Sequence, residues 1–254
     1  MLPTSYLLTP IAHIVTDFPT KFGVPRQSGL VAVRGRIVFE PDFRNAEALR
    51  GLEGFSHIWL LWDFSEARRD SSKSLLNGET SFAGISFPSG EGRGGAFRPT
   101  VRPPRLGGNR RMGVWATRSP FRPNNIGLSS VRILGISLHT PDGPVIDVEG
   151  ADMMSGTPIF DIKPYLSFTD CHPDAVGGFA EELNRAVAPL RVRLSDDVEA
   201  AFDAERLEAL RGILSSDPRP HYHDDAGRVY AFGFAGREVK FRVEGEEVEA
   251  WIAK

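Results

Sequence analysis

The chain has 254 residues, 41% hydrophobic and 25% charged, with a formal net charge of −3; this is ordinary for a soluble globular protein of one large or two modest domains, at ~150 residues each. Its single cysteine, Cys171, excludes an intrachain disulfide and a cysteine-rich zinc cage, and no apolar run approaches the ~20 residues that a membrane span needs. The opening MLPTSYLLTPIAHIV has neither a basic region nor a small-residue cleavage site, so a cytoplasmic protein is expected.

In chain order, short β-branched or apolar runs punctuated by Gly and Pro come first: Ile11 to Val15, Leu30 to Phe39, His57 to Phe64, Met112 to Thr117, Ser129 to Leu138 and Val145 to Val148. Many short strands joined by loops predict antiparallel β-structure, a barrel or a sandwich. One short helix is predicted over Asn45 to Leu52, with Asn45 as its N-cap. Ser65 to Gly95 is Ser- and Gly-rich without a sustained period and reads as a long loop. A second domain is predicted to begin near Pro173, which divides the chain into domains 1–172 and 173–254. There Ser195 to Leu214 reads as a helix capped by Ser195, with Asp196, Asp197 and Glu199 in its first turn and an apolar stripe of Val198, Phe202, Leu207, Leu210 and Leu214. Pro218 and Pro220 stop it. Arg228 to Phe234, Glu238 to Val243 and Val248 to Ile252 then read as three strands, which makes this domain α+β.

Charge is unevenly distributed. Between Glu91 and Asp142 stand nine arginines (Arg93, Arg98, Arg102, Arg105, Arg110, Arg111, Arg118, Arg122, Arg132) and no lysine, aspartate or glutamate. Setting them aside leaves 21 basic residues against 33 acidic ones. Arginine without lysine points to planar, forked donors that pair with phosphate and stack on bases, so nucleic acid is the first partner to consider. The bland use of the same residues is pairing with the acidic surplus to knit domains or subunits together. Five prolines (Pro99, Pro103, Pro104, Pro120, Pro123) stiffen the segment.

No G-x-G-x-x-G in a strand-to-helix context, Walker lysine or His-Glu-x-x-His is present, and apart from His221 and His223 the histidines have no metal spacing, so no metal site is expected. Three further segments carry chemistry. In GADMMSGTPIFDIKPY, Asp152 and Asp161 flank a Ser-Gly-Thr-Pro turn and Lys163 and Tyr165 follow; such groups can hold ribose hydroxyls or supply acid, base or orienting hydrogen bonds. KFGVPRQSGL is a Pro-Arg-Gln turn suited to backbone capture of a small ligand, and DPRPHY sets an arginine and an aromatic in a rigid turn.

Taken in order, KFGVPRQ, RGLEGFSHIWLL, RPTVRPPRLGGN, GVWATRSPFRPN, GTPIFDIKPY and DPRP resemble the TrmO family (also called TsaA or YaeB) of tRNA N6-methyltransferases, and the likeness spans nearly the whole chain. The resemblance implies a mainly β protein: an N-terminal single antiparallel β-barrel that binds S-adenosylmethionine (SAM) at or near a homodimer interface, and a small C-terminal α+β domain assisting tRNA binding. It implies methylation of N6 of threonylcarbamoyladenosine at tRNA position 37. By motif, Gln27, Ser28, Gly29, Ser65, Glu66, Arg118, Leu128, Glu149, Gly150, Ala151 and Asp152 are the expected cofactor contacts. Asn125 stands where the family usually has proline, and Ser155 where Asp-Gly-Thr-Pro is usual.

The target nitrogen is urea-like and a poor nucleophile, so its proton must leave with or before methylation, and Asp152, Asp161, Lys163 and Tyr165 are the candidates for assisting. Arg102, Arg105, Arg110 and Arg111 are assigned to the tRNA backbone, Arg122 to the threonyl carboxylate and Arg219 to RNA. Phe97, Trp115 and Phe121 are available to stack a splayed base. The alternative is a non-catalytic RNA-binding or SAM-sensing module on the same barrel, favoured if Asn125 and Ser155 mark a decayed site.

Overall fold

The computed structural model describes residues 7–64, 81–82, 85–86, 99–103, 110–181, 188–219 and 227–253. The expected contacts Ser65 and Glu66, the RNA candidate Arg105, Phe97 and the pair His221 and His223 lie outside the described residues, as does most of the predicted loop from Ser65 to Gly95. No helix among the described residues is long and apolar enough to cross a membrane.

The fold is mainly β. Strands β1 (Ala12–Thr16), β2 (Arg34–Phe39) and β3 (His57–Asp63) come first. Two small hairpins follow, β4 (Ser81–Phe82) with β5 (Ile85–Ser86), and β6 (Thr100–Val101) with β7 (Met112–Gly113). Then come β8 (Ile126–Thr140), β9 (Gly143–Glu149) and β10 (Thr157–Pro164). β1, β10, β3, β8, β9 and β2 close, in that order, into an all-antiparallel barrel. Period-two alternation decides which side chains enter it: Ile58, Leu60 and Trp62 of β3 point inward, where they meet Ala12, Ile14, Ile37, Val131, Ile146, Val148 and Ile159. Each fully buried Ile or Leu contributes about 1.5–3 kcal/mol. Glycine enters where two strands crowd: a Cβ on Gly127, opposite Trp62, would lie 2.2 Å from the indole.

The C-terminal unit holds β11 (Arg191–Leu194), α2 (Asp196–Ala201), α3 (Ala204–Ser215), β12 (Tyr230–Phe234), β13 (Arg237–Glu244) and β14 (Glu247–Ile252), after a single helical turn α1 (Ser167–Asp170). Its sheet runs β11-β14-β13-β12, with β11 parallel to β14. Its core is built on Leu210, Ile213, Leu214, Phe232, Phe234, Val239 and Phe241, and Phe18, Val31 and Val33 of the segment between β1 and β2 are buried in the same cluster. That segment leaves the barrel, crosses the second unit and returns.

Several sequence expectations change. The predicted helix over Asn45 to Leu52 is a pair of 3-10 turns, Ala46–Leu49 and Leu52–Gly54, because Gly51 at φ 87° breaks the run; Asn45 caps the first by accepting from Glu47 N at 3.0 Å. The predicted Ser195 to Leu214 helix is two helices. Extended Phe202 and Asp203 interrupt it, and Asp203 caps α3 by accepting from Arg206 N at 2.9 Å. Ser195 does not cap with its hydroxyl, which donates to Ala250 O and Asp197. Met112 to Thr117 is a two-residue strand followed by a 3-10 turn, Val114–Ala116, and the run from Leu30 becomes strand only at Arg34.

Candidate active site

One mouth of the barrel collects most of the described cofactor candidates: Gln27, Ser28, Gly29, Arg118 and the run Glu149 to Asp152. β9 ends at Glu149 and turns through Gly150 at φ 87°, a left-handed backbone that favours glycine. Gly150 N donates to Val33 O at 2.8 Å, and Gly150 O accepts from Gly29 N at 2.9 Å. The two backbones are so close that a Cβ on Gly150 would stand 3.2 Å from Gly29 Cα. This stitches the Gln27–Ser28–Gly29 turn to the Glu149–Asp152 turn.

Asp152 is the focus. Its carboxylate accepts from Ser129 Oγ at 2.7 Å and from the Ser28 backbone N–H, and Ser129 Oγ accepts from Trp62 Nε1 at 2.9 Å. Ser129 is itself buried. Burial raises the Asp152 carboxyl above its ordinary value; the Ser129 hydroxyl, its own and the Ser28 backbone N–H groups and the Arg118 charge pull the other way without reversing the shift. A carboxylate held this way has enhanced proton affinity and faces a cation. The relay through Ser129 to Trp62 was not read from the sequence, and no linear signal marks it.

Arg118 arrives on the loop between β7 and β8, which is stapled to itself. Thr117 Oγ1 donates to Val114 O at 2.9 Å, Arg122 Nη1 donates to Thr117 O at 2.7 Å and Val114 O at 3.1 Å, and Asn125 Nδ2 donates to Pro120 O at 2.6 Å. The Arg122 guanidinium also lies 5.1 Å from the centre of the half-exposed Trp115 ring. Arg122 is thus engaged in building this loop. Arg118 donates to Gln27 Oε1 of the same chain and acts electrostatically on Asp152. Asn125 sits at φ 49°, a conformation closed to proline, and its carbonyl accepts from Phe64 N at 2.9 Å, tying the loop to the end of β3. Ser155 lies in a backbone turn, where its N–H donates to Phe18 O at 2.8 Å. Both positions shape turns and leave the Asp152 cluster intact.

The four acid–base candidates are not gathered in one place. Asp161 lies opposite Leu61, which lies opposite Leu128, so these three form a row on the outer face of the barrel. Leu128 is 57% exposed there. Lys163, two residues along β10, pairs with Asp161 at 3.0 Å. Tyr165 donates its backbone N–H to His57 O and packs on His57 and Trp59, which puts it roughly 15–20 Å along β3 from Trp62 at ~3.3 Å per residue. Partial desolvation, then the charges of Cys171 and Asp170, raise its phenol above the ordinary value. Glu149 faces outward, 3.7 Å from Arg132.

The arginine candidates fall on different structures. Exposed Arg102 and exposed Arg111 each stand one residue beyond the paired Val101 and Met112 of β6 and β7, with Arg110 adjacent, and Arg111 Nη1 donates to Thr100 Oγ1 at 3.1 Å. Like charges across a hairpin are unfavourable unless an anion bridges them. Arg219 instead grips its neighbour, donating to Asp217 Oδ1 at 2.8 Å and Oδ2 at 2.9 Å.

The chain is thus a closed antiparallel barrel with a glycine-stitched mouth, a partly buried carboxylate and a cation beside it, carrying an α+β appendage. Comparison with known proteins gives it a family. A family model described as the tRNA-methyltransferase O N-terminal domain matches residues 13–171, and one for the TrmO C-terminal domain matches residues 187–251. The chain belongs to the TrmO family. It is 36% identical over 249 residues to the tRNA (adenine(37)-N6)-methyltransferase of Escherichia coli K12, covering 94% of each chain. It is 46% identical over 153 residues to the protein of that name from Eikenella corrodens, covering 59% of this chain and 84% of the relative. The crystal structure of TrmO from Pseudomonas aeruginosa superposes with a TM-score of 0.69 at 29% identity, over 99% of this chain and 98% of that one.

Proposed function

We propose that this protein is a SAM-dependent methyltransferase that methylates N6 of threonylcarbamoyladenosine at position 37 of tRNA, with the barrel mouth as its active site. The observation that carries this reading is the meeting of Gln27–Gly29, Gly150–Asp152 and Arg118 around one partly buried carboxylate. The residues fit the cofactor: Asp152 suits a cationic ligand, Arg118 suits a carboxylate, the Gly29–Gly150 stitch leaves backbone uncovered by side chains, and Leu128 supplies an apolar outer lip. Ala151 is buried beneath the turn. When bound, SAM supplies an electrophilic methyl group on a sulfonium. The protein's part is to place N6 in a near-attack geometry and to receive its proton.

Asp152 is the acceptor we assign, since it alone of the four candidates stands with the cofactor loop. Asp161 and Lys163, on the outer wall in the row of Leu128, orient the substrate, with Tyr165 a donor farther along that wall. Ser65 and Glu66 complete the cofactor contacts, and Glu149 supports the mouth through its outward pair with Arg132. Arg102, Arg105, Arg110 and Arg111 bind tRNA phosphates, with Arg122 and Arg219 at its edge, so the protein is RNA-binding. Residues 1–172 form the methyltransferase domain and 173–254 the assisting domain. The protein is a cytoplasmic homodimer, a reading supported by exposed Leu128 and Leu134 on the outer face of β8.

Incubation with SAM and tRNA bearing threonylcarbamoyladenosine, followed by digestion and mass spectrometry, tests this. A nucleoside heavier by one methyl is expected. SAM binding without that product favours the non-catalytic module instead.

A further inference from the structure

We infer that the C-terminal unit holds the cofactor loop of the barrel in shape, and that Arg26 is the positioning residue through which it does so. This rests on the reading that Gln27–Gly29 hold SAM.

The segment from Asp17 to Val33 is pressed against the C-terminal unit along its length. At its entry Asp17 O accepts from Ala235 N at 2.8 Å and its carboxylate pairs with Arg206 at 3.1 Å; just past its exit Arg34 pairs with Glu205 at 2.5 Å. Phe18 is fully buried in the second core, and the Phe22 ring stacks on Phe241 at 6.2 Å. Glycines on both sides permit the approach: a Cβ on Gly23 (φ 95°) would lie 2.5 Å from the Phe232 ring, one on Gly233 would lie 2.7 Å from Pro19, and one on Gly212 would lie 2.9 Å from Val31.

Between the anchors Pro25 and Val31, however, the stretch Arg26–Leu30 buries no side chain. Its conformation rests on polar contacts. Toward the barrel these are Arg118 to Gln27, Ser28 N–H to Asp152 and Gly29 N to Gly150 O. Toward the C-terminal unit, Arg26 Nη2 donates to Asp217 O at 2.8 Å and reaches Arg219 O at 3.5 Å. These acceptors are themselves fixed, because Asp217 takes a left-handed turn (φ 50°) and its carboxylate is gripped by the Arg219 fork. Gln27 Nε2 in turn donates to Arg26 O at 2.6 Å. A chain of contacts therefore runs from the turn after α3 through Arg26 and Gln27 to Arg118 and the Asp152 carboxylate. Asp217 and Arg219 of the DPRP motif, which in sequence suggests an RNA clamp, serve here as the seat of that chain.

The test is titration of SAM, by calorimetry, into the full-length wild-type, Arg26→Ala, Arg26→Lys and Gln27→Ala proteins. Arg26→Ala should weaken SAM roughly tenfold, the scale of one lost charge-assisted hydrogen bond. Its melting temperature and tRNA affinity should stay near wild type, because Arg26 is exposed and the apolar anchors remain. Arg26→Lys should recover part of the loss, since an ammonium can serve the Asp217 carbonyl that Nη2 now serves, but from a more flexible stem. Amide exchange at Gly29 in the SAM-free protein should quicken in Arg26→Ala. SAM affinity within twofold of wild type in Arg26→Ala, alongside a weakened Gln27→Ala, would overturn the inference and leave the cofactor reading standing. If Gln27→Ala also binds normally, the cofactor reading itself fails and the inference with it.

Discussion

The arginines of this chain form two sets in different regions. On the regular elements most have a carboxylate in reach, Arg191 and Arg237 excepted among the described residues: Arg36 with Asp147 at 2.7 Å, Arg206 with Asp17 and Asp203, Arg211 with Glu199 and Arg242 with Glu249, both at 2.8 Å. In the acid-free segment, Arg102, Arg110, Arg111, Arg118 and Arg122 form no ion pair among the described residues; their recorded partners are a hydroxyl, an amide oxygen and backbone carbonyls. Arg132, where the segment enters β8, already pairs with Glu149. The difference teaches that the acidic surplus of the chain is not there to neutralise this segment. Of this set the exposed Arg102, Arg110 and Arg111 keep donors for a ligand, Arg122 spends its own on its loop, and the carboxylate-paired forks hold surfaces together.

The carboxylate nearest to crossing that division is Asp152, which feels Arg118 without pairing to it. Asp152→Asn should have the largest effect, lowering methyl transfer by about 100-fold or more in single-turnover assays. It should also stabilise the protein at neutral pH. Burial raises the folded-state value, so ionising Asp152 costs stability that begins to be lost as pH rises above the ordinary carboxylate range and is fully lost above the raised value. The thermal gain of the variant over wild type should therefore fade as pH is lowered through that window. An activity loss with no gain in melting temperature at neutral pH would break the burial argument.

Next in size, Arg102→Ala combined with Arg111→Ala should weaken tRNA binding roughly tenfold at moderate salt while leaving SAM affinity unchanged. Ser129→Ala should cost about 1–3 kcal/mol of unfolding free energy by chemical denaturation, because it strands the buried Trp62 N–H and removes a donor to Asp152; Ser129→Thr should recover part of it. Smallest is Arg206→Ala, expected to cost at most about 1 kcal/mol of stability, as an exposed pair does, with no change in tRNA affinity.

Much of this was legible in the chain. The strand run His57 to Phe64 and the Pro-Arg-Gln turn before Gly29 were legible as such, but the inward set of β3 was not, because Trp59 and Leu61 are as apolar as Ile58, Leu60 and Trp62. β10 did not show itself: Pro158 near its start, a bulge between Ile159 and Asp161 and the outward pair Asp161 and Lys163 give it the look of a turn. β11 is four residues that alternate arginine with an apolar residue, too short to stand out as a strand without its parallel partner β14. The split of the second-domain helix was hidden because Asp203 reads as one more helical acid until its cap is seen. Within the site, the family resemblance pointed to Asp152 and Arg118, but not to Ser129 with Trp62 or Arg26 with Asp217, whose partners lie 67 and 191 residues away. Contacts at such separation leave no local pattern.

The two arginine sets are separated most directly by the salt dependence of tRNA binding. The slope of log affinity against log salt should shrink in magnitude by about 1 for each arginine removed from Arg102 and Arg111. It should stay at the wild-type value for Arg206→Ala and Arg211→Ala. Equal slopes across all four variants would contradict the assignment of the carboxylate-free set to the tRNA backbone.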